Sequence, residues 1–225
     1  MKHRIFLVDD HPLVREWLTN LINQQADLHV CGTADDAPEA LDAIGEANPH
    51  VAIIDLGLKT TSGLDLIKDL NNLHPEVAVL VLSMHEESHY AERALRAGAR
   101  GYITKRESTK SVITGIRAVI EGRMFLSQRF AEDIAERQVL KHHETAETPV
   151  LGLSDRELQV FELVGKGRGT KEIAEFLHVS MKTVQAYESR IKQKLGLKTI
   201  NELMREAIRW EENKATPRPQ NPRSL

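Results

Sequence analysis

Four short apolar runs in this chain stop on residues that can handle charge. Arg4 to Val8 runs into Asp9 and Asp10, Val51 to Ile54 into Asp55, Val77 to Leu82 into Ser83, and Gly101 to Ile103 into Thr104 and Lys105. An ionised aspartate at the end of a buried run is costly unless something pairs with it. Three carboxylates brought together raise one another's pKa unless a divalent cation neutralises them. Hard oxygen ligands with room for water suit Mg²⁺. Lys105 adds a positive charge and Ser83 a hydroxyl, the two groups a transferred phosphoryl oxygen needs. Taken singly, each residue has a plainer reading: an aspartate after a strand is usually a turn or cap residue, Lys105 a solvated charge, Ser83 a cap. It is their joint placement on separate runs that favours a site.

The runs must be strands for that placement to hold, and the intervening segments helices. Val51 to Ile54 is apolar throughout, as a strand buried on both faces of a parallel sheet requires. Leu13, Trp17, Leu18, Leu21 and Ile22 recur at helical spacing, Leu28 to Gly32 reads as a strand, and Pro38 to Ala47 reads as a helix with Asp36 as its N-cap. Further helices are expected over about 64–73, 88–97 and 108–121, the last two stopped by Gly98 and Gly122. Five strand-then-helix units predict an α/β fold, a doubly wound five-stranded parallel sheet, because right-handed crossovers put helices on both faces. Ligands of such sheets bind beyond the carboxyl ends of the strands, where all four polar stops lie.

The spacing of Asp9, Asp10, Asp55, Ser83 and Lys105 resembles the flavodoxin-like receiver domain of two-component response regulators. The resemblance implies that Asp55 accepts a phosphoryl group from a histidine kinase, and that Asp9, Asp10, Asp55 and the carbonyl of Gly57 surround Mg²⁺. It also implies that Ser83 and Lys105 hold the phosphoryl oxygens, that Ser83 and Tyr102 act as the switch, and that Gly63 is the family's glycine eight residues after the acceptor. Lys59 and Arg106 stand where the family often has proline, which leaves the peptide after Lys105 open between cis and trans. Tyr102 serves equally well as a core aromatic, and His11 and His85 read as loop residues because no HExxH pattern is present.

The 225 residues carry a net charge of −3 and allow two small domains. One cysteine, Cys31, leaves no internal disulfide and suits a reducing cytoplasm. The first apolar run is too short for a signal-peptide core, and no stretch approaches the ~18 apolar residues of a membrane span. A helical pattern over about 128–140 gives way to KHHETAET, residues 141–148, which reads as linker; His142 and His143 read as solvent-facing.

From Ser154 the chain changes to a tight run of helices. Ser154 and Glu157 form a capping box, and Gly165, Gly167 and Gly169 end the helix that follows. That glycine cluster lacks the GxxxxGK[ST] spacing of a phosphate loop. Thr170 opens a short helix, His178 to Ser180 make a turn, and a helix from about Lys182 to Leu195 is expected to bury Val184, Tyr187, Ile191 and Leu195: a helix-turn-helix. Thr199 and Glu202 mark another cap, starting a helix to about Trp210. Residues 151–210 carry eleven Lys and Arg against eight Asp and Glu, a net +3 that leaves −6 on the rest of the chain. A basic end suits DNA.

The run LSDRELQVFELVGKGRGTKEIAEFLHVSMKTVQAYESRIKQKLGL is similar to the LuxR-type domain of NarL/FixJ response regulators. The similarity implies that Lys182, Gln185, Ala186 and Ser189 meet base edges and that Thr170, Lys171, Thr183, Arg190 and Lys192 meet phosphates of double-stranded DNA. Tyr187 and Gln185 replace a common histidine and a common basic residue, and Glu188 adds an acid in mid-helix.

The expected organisation is a receiver over 1–123, an interdomain helix and linker over 124–149, a DNA-binding domain over 150–211 and a disordered tail over 212–225. The expected function is a cytoplasmic transcriptional regulator, not an enzyme, which dimerises on phosphorylation and meets a cognate histidine kinase, DNA and in principle RNA polymerase, but no membrane. A haloacid-type phosphatase wants a second aspartate two residues after the nucleophile, and that residue is Gly57. A phosphorylation-independent regulator that uses the receiver only to dimerise is the alternative.

Overall fold

A computed structural model describes residues 2–58, 61–84, 87–132, 134, 149–177 and 179–215. The chain forms two compact units, Met1–Glu144 and Thr145–Leu225. The boundary falls inside the expected linker.

The first unit alternates strand and helix: β1 (His3–Val8), α1 (Pro12–Asn23), β2 (Leu28–Ala34), α2 (Ala37–Ala47), β3 (Val51–Ile54), α3 (Gly63–Leu73), β4 (Ala78–Ser83), α4 (Glu87–Ala97), β5 (Gly101–Thr104) and α5 (Thr109–Ile120). The strands pair in the order β2-β1-β3-β4-β5, every pair parallel. Ile5 and Leu7 of β1, Val51 and Ile53 of β3, Leu80 and Leu82 of β4 and Ile103 of β5 pack with Leu18 and Ile22 of α1 and Val112 and Ile116 of α5. Because side chains alternate along a strand, the equally buried Phe6, Val8, Ala52, Ile54, Val79 and Val81 belong to the opposite face. The sheet is therefore dry on both sides, which is why its strands are apolar without alternation.

Local signals account for the helix starts. The Asp36 side chain accepts from the Ala37 amide and caps α2, and Ser108 caps α5 by accepting from the Ser111 amide. Gly63 begins α3 where no other residue fits: a Cβ there would sit 2.3 Å from the Asp55 carbonyl oxygen and 2.6 Å from Leu56 Cα. After α5 the chain returns to the outer edge of β5, where the Phe125 carbonyl accepts from the Tyr102 amide at 2.9 Å and the Phe125 amide donates to the Arg100 carbonyl at 3.0 Å. Residues 128–132 and 134 are helical (α6); the rest of the helix expected to 140, and the linker with His142 and His143, lie outside the described residues.

The second unit holds a short 3₁₀ turn (Pro149–Gly152), α7 (Asp155–Gly165), α8 (Thr170–Phe176), α9 (Met181–Leu195) and α10 (Ile200–Ala215). Both capping boxes form, Ser154 with Glu157 and Thr199 with Glu202. The last helix does not stop at Trp210, and 212–215 are not tail: Glu211, Glu212, Lys214 and Ala215 favour helix, and the first proline comes only at 217. Residues 216–225 lie outside the described residues. Tyr187 and Leu195 are only half-buried, and the buried stripe of α9 is Val184, Glu188 and Ile191. Among the described residues no helix is long and apolar enough to cross a membrane.

Candidate functional site

The sheet brings the polar stops together because parallel strands in register end at one edge. Asp9 follows β1 and Asp55 follows β3, with the Asp55 amide donating to the Val8 carbonyl at 2.8 Å. Ser83 ends β4 and pairs with Thr104 of β5, and the Lys105 amide continues the ladder onto the Ser83 carbonyl at 2.8 Å. Lys105 Nζ lies 2.6 Å from Asp9 Oδ2 and 2.7 Å from Asp55 Oδ2. Asp9 and Asp55 are 3% and 4% exposed, and the Lys105 side chain 9%. The two acids most in need of a partner therefore share one cation, drawn from the loop after β5.

Burial pushes the Asp9 carboxyl above its ordinary range and the nearby Asp55 charge adds to that, outweighing the opposing pull of Lys105. Burial would lower Lys105, but the charges of Asp55 and Asp9 outweigh it and hold the ammonium above the usual lysine range. One lysine does not satisfy the whole pocket. Ligand atoms of Asp9, Asp10, His11 and Asp55 all lie within 4.8 Å of one another, with the His11 ring nitrogen Nδ1 against the buried Asp10 Oδ1. Three carboxylates gathered this closely fit a hard divalent cation.

His11 is the residue that sequence reasoning passed over as loop. Its amide donates to Asp9 Oδ1 at 2.9 Å, and its Nδ1 lies 3.3 Å from Asp9 Oδ1 and 2.5 Å from Asp10 Oδ1. Its position directly after two aspartates was the available signal. His85 lies outside the described residues, as does Lys59. Gly57 donates its amide to Asp55 Oδ1 at 3.2 Å. No peptide bond among the described residues is cis, so the Lys105 to Arg106 bond is trans.

Ser83 and Tyr102 are both buried. Tyr102 pairs with Val81 across β4 and β5. By strand alternation both residues point away from the α5 face that takes Leu82 and Ile103. The switch candidates thus share one face of neighbouring strands, two positions apart in register.

In the second unit, α9 presents Lys182, Gln185, Ala186, Ser189 and Arg190 as exposed residues, while Thr183 and Lys192 are half-buried. Positions 182, 185, 186 and 189 fall on one helical stripe. Thr183 also serves the start of α9, where its amide donates to Ser180 Oγ at 3.1 Å. Lys171 is exposed on α8 and Thr170 half-buried. Glu188 does not join the outward face: it is 8% exposed, and its Oε1 accepts from Thr170 Oγ1 at 3.0 Å.

Two family models match. Residues 5–117 fit "Response regulator receiver domain" and residues 151–207 fit "Bacterial regulatory proteins, luxR family". The oxygen regulatory protein NreC of Staphylococcus aureus is 36% identical over 210 residues, covering 92% of this chain and 97% of that protein. The chain belongs to the NarL/FixJ family of response regulators.

Solved structures agree on the fold of this response regulator. A LuxR-family two-component response regulator from Aurantimonas sp. SI85-9A1 superposes with a TM-score of 0.58 at 34% identity, covering 62% of this chain and 99% of that one. RcsB from Salmonella enterica serovar Typhimurium, described as bound to promoter rprA with phosphomimetic BeF3⁻, gives 0.58 at 21% identity, covering 92% and 99%. The two matched family models, receiver and LuxR-type, make this chain a DNA-binding transcription regulator of a two-component system.

Proposed function

We propose that this response regulator is switched by a phosphoryl group transferred from a phosphohistidine of a histidine kinase to Asp55. The carrying observation is Lys105 Nζ held between Asp9 and Asp55, at the carboxyl edge of the sheet, by strands that all stop there. An Asp55 carboxylate oxygen attacks phosphorus, a P–O bond forms, the P–N bond of the donor imidazole breaks, and the imidazole leaves with the electron pair. The Lys105 ammonium, already among buried carboxylates, then serves the phosphoryl oxygens as a preorganised charge. Asp9, Asp10 and Asp55, with the Gly57 carbonyl, would hold Mg²⁺, which supplies the positive charge that lets an anionic phosphoryl group approach them. His11 holds Asp9 from the side of α1 through its amide.

Ser83 stands beside the Lys105 backbone at the end of β4, and engagement of its hydroxyl by the phosphoryl group shifts the β4 and β5 ends, with Tyr102 following on the same face. A phosphoryl group moves that equilibrium only by its difference in affinity for the two arrangements. The shifted state favours a homodimer, which places two helix-turn-helix modules on two half-sites of double-stranded DNA. Lys182, Gln185, Ala186 and Ser189 face the bases, with Lys171, Arg190, Lys192 and backbone or side-chain groups of Thr170 and Thr183 toward phosphates.

Gel filtration and DNA affinity, with and without acetyl phosphate and Mg²⁺, test this. The phosphodonor tightens DNA binding and increases apparent size in the native chain, and does neither in Asp55→Asn. Equal responses from both proteins would instead leave the receiver as a phosphorylation-independent dimerisation module.

A further inference from the structure

DNA is a polyanion, so an acid in the middle of a DNA-reading helix opposes binding unless it has other work. Glu188 lies beside Ser189 and Arg190, yet its side chain is buried with Val184 and Ile191 on the inner stripe of α9. There it accepts the Thr170 hydroxyl. Thr170 is the first residue of α8, whose N-cap, Gly169, has no side chain and is held instead by Glu172 Oε2, which accepts from the Gly169 amide at 2.9 Å. The Thr170 to Glu188 bond thus runs from the start of the first motif helix to the middle of the second. Among the described residues, no other side-chain hydrogen bond or ion pair joins α8 to α9. The apolar contacts between these helices hold them close but are not directional. A hydrogen bond is, and one made to a carboxylate is of the stronger kind.

We infer that Glu188 is a positioning residue for DNA binding: through Thr170 it fixes the start of α8 against the reading helix, and it does not itself meet DNA. The inference rests on the reading of α9 as the helix that enters the groove. One consequence is that the Thr170 hydroxyl proton is directed inward, so any phosphate contact at this position comes from elsewhere on Thr170. The other is a change of sign. Deleting an acid from a DNA-binding face should by charge alone tighten binding, whereas deleting this one weakens it.

The test is a double-mutant cycle in the full chain. Affinity is measured by fluorescence anisotropy on a labelled duplex that the unmodified protein has selected from a random-sequence pool, at one salt concentration and below every variant's melting temperature. Glu188→Ala and Thr170→Val each weaken binding by about tenfold, the scale of one hydrogen bond to a charged group. The double variant is no weaker than either single one, because both remove the same interaction. Glu188→Gln keeps a carbonyl acceptor for the Thr170 hydroxyl and drops the charge, and binds more tightly than Glu188→Ala. If Glu188→Ala fails to fold, Glu188→Leu fills the buried position and completes the cycle. Unchanged or tighter binding by Glu188→Ala or Glu188→Leu, losses that add in the double variant, or a Glu188→Gln protein as weak as Glu188→Ala overturns the inference. A failure of the groove reading looks different: Gln185→Ala and Arg190→Ala then leave DNA affinity unchanged.

Discussion

Replacing Lys105 with methionine removes the ammonium that pairs with both Asp9 and Asp55 in a pocket of buried carboxylates while keeping a chain of similar length. Nζ lies 2.6 Å from Asp9 and 2.7 Å from Asp55. At an effective dielectric constant of about 20, charges this close attract with a gross energy of roughly 6 kcal/mol per contact. Desolvation of the three groups cancels much of that, and removing one partner of a buried pair leaves a net loss of about 3–5 kcal/mol. Proton uptake bounds the loss, because an unpaired carboxylate can be neutralised for about 1.4 kcal/mol per pH unit between its pKa and the solution. Lys105→Met should therefore lose about 3–5 kcal/mol at pH 7. The loss should shrink on acidification, since the native variant then holds a proton that the unfolded chain does not.

Urea unfolding reads this directly. In a Trp210→Phe background the remaining tryptophan, Trp17, reports on the receiver alone. With a slope of about 2 kcal/mol per molar urea, the midpoint falls by about 2 M at pH 7 and by less at pH 5. Added Mg²⁺ recovers more stability in the variant than in the parent, because it replaces charge that only the variant lacks. An unmoved midpoint at pH 7, or a loss just as large at pH 5, would refute the electrostatic account of the pocket.

Other perturbations follow from the same coordinates. Gly63→Ala should destabilise the receiver by about 1–3 kcal/mol and weaken Mg²⁺ binding measured by calorimetry, because the new methyl meets backbone atoms beside Asp55 that cannot give way. The folded pKa of Lys105 is raised, so its contribution is complete below the ordinary lysine value and is lost as pH rises through the folded one; alkaline titration of receiver stability should show that loss, and Lys105→Met should not. In the second unit, burial would raise the Glu157 carboxyl, but Lys194, whose Nζ is 2.7 Å away, and Ser154 hold it below the ordinary range. Lys194→Met should cost about 1 kcal/mol near neutral pH, because solvent screens the partly exposed ammonium, and its difference from the parent should narrow as pH falls through the Glu157 titration. Arg190→Ala should lower the slope of log affinity against log salt by about one, whereas Gln185→Ala should relax base preference with the slope unchanged.

The strands were legible because burial on both faces demands uninterrupted apolar residues, and each run then stopped where the sheet did. The pocket was legible for the same reason: once Val8, Ile54, Leu82 and Ile103 are placed in parallel strands, Asp9, Asp55, Ser83 and Lys105 must share an edge. What stayed hidden depended on side-chain direction. His11 looked like a loop residue because the two aspartates before it signal a possible partner but not the turn after β1 that folds its amide and ring back over them. Glu188 stood out in sequence only as an acid in mid-helix, because helical period assigns faces only within about one position, and Tyr187 competed with it for the buried stripe. Phe125 escaped notice because a single residue pairing along the edge of β5 has no periodicity to betray it. The last helix was cut short at Trp210 because the charged segment after it was read together with the prolines, which begin only at 217.

Whether Asp55 carries a phosphoryl group decides the account. Intact-mass spectrometry after incubation with acetyl phosphate and Mg²⁺ should show addition of one phosphoryl group to the native chain and none to Asp55→Asn, with the label lost under conditions that hydrolyse acyl phosphates. A native chain whose mass does not change at any donor concentration, or an Asp55→Asn protein that is labelled to the same extent, would contradict it.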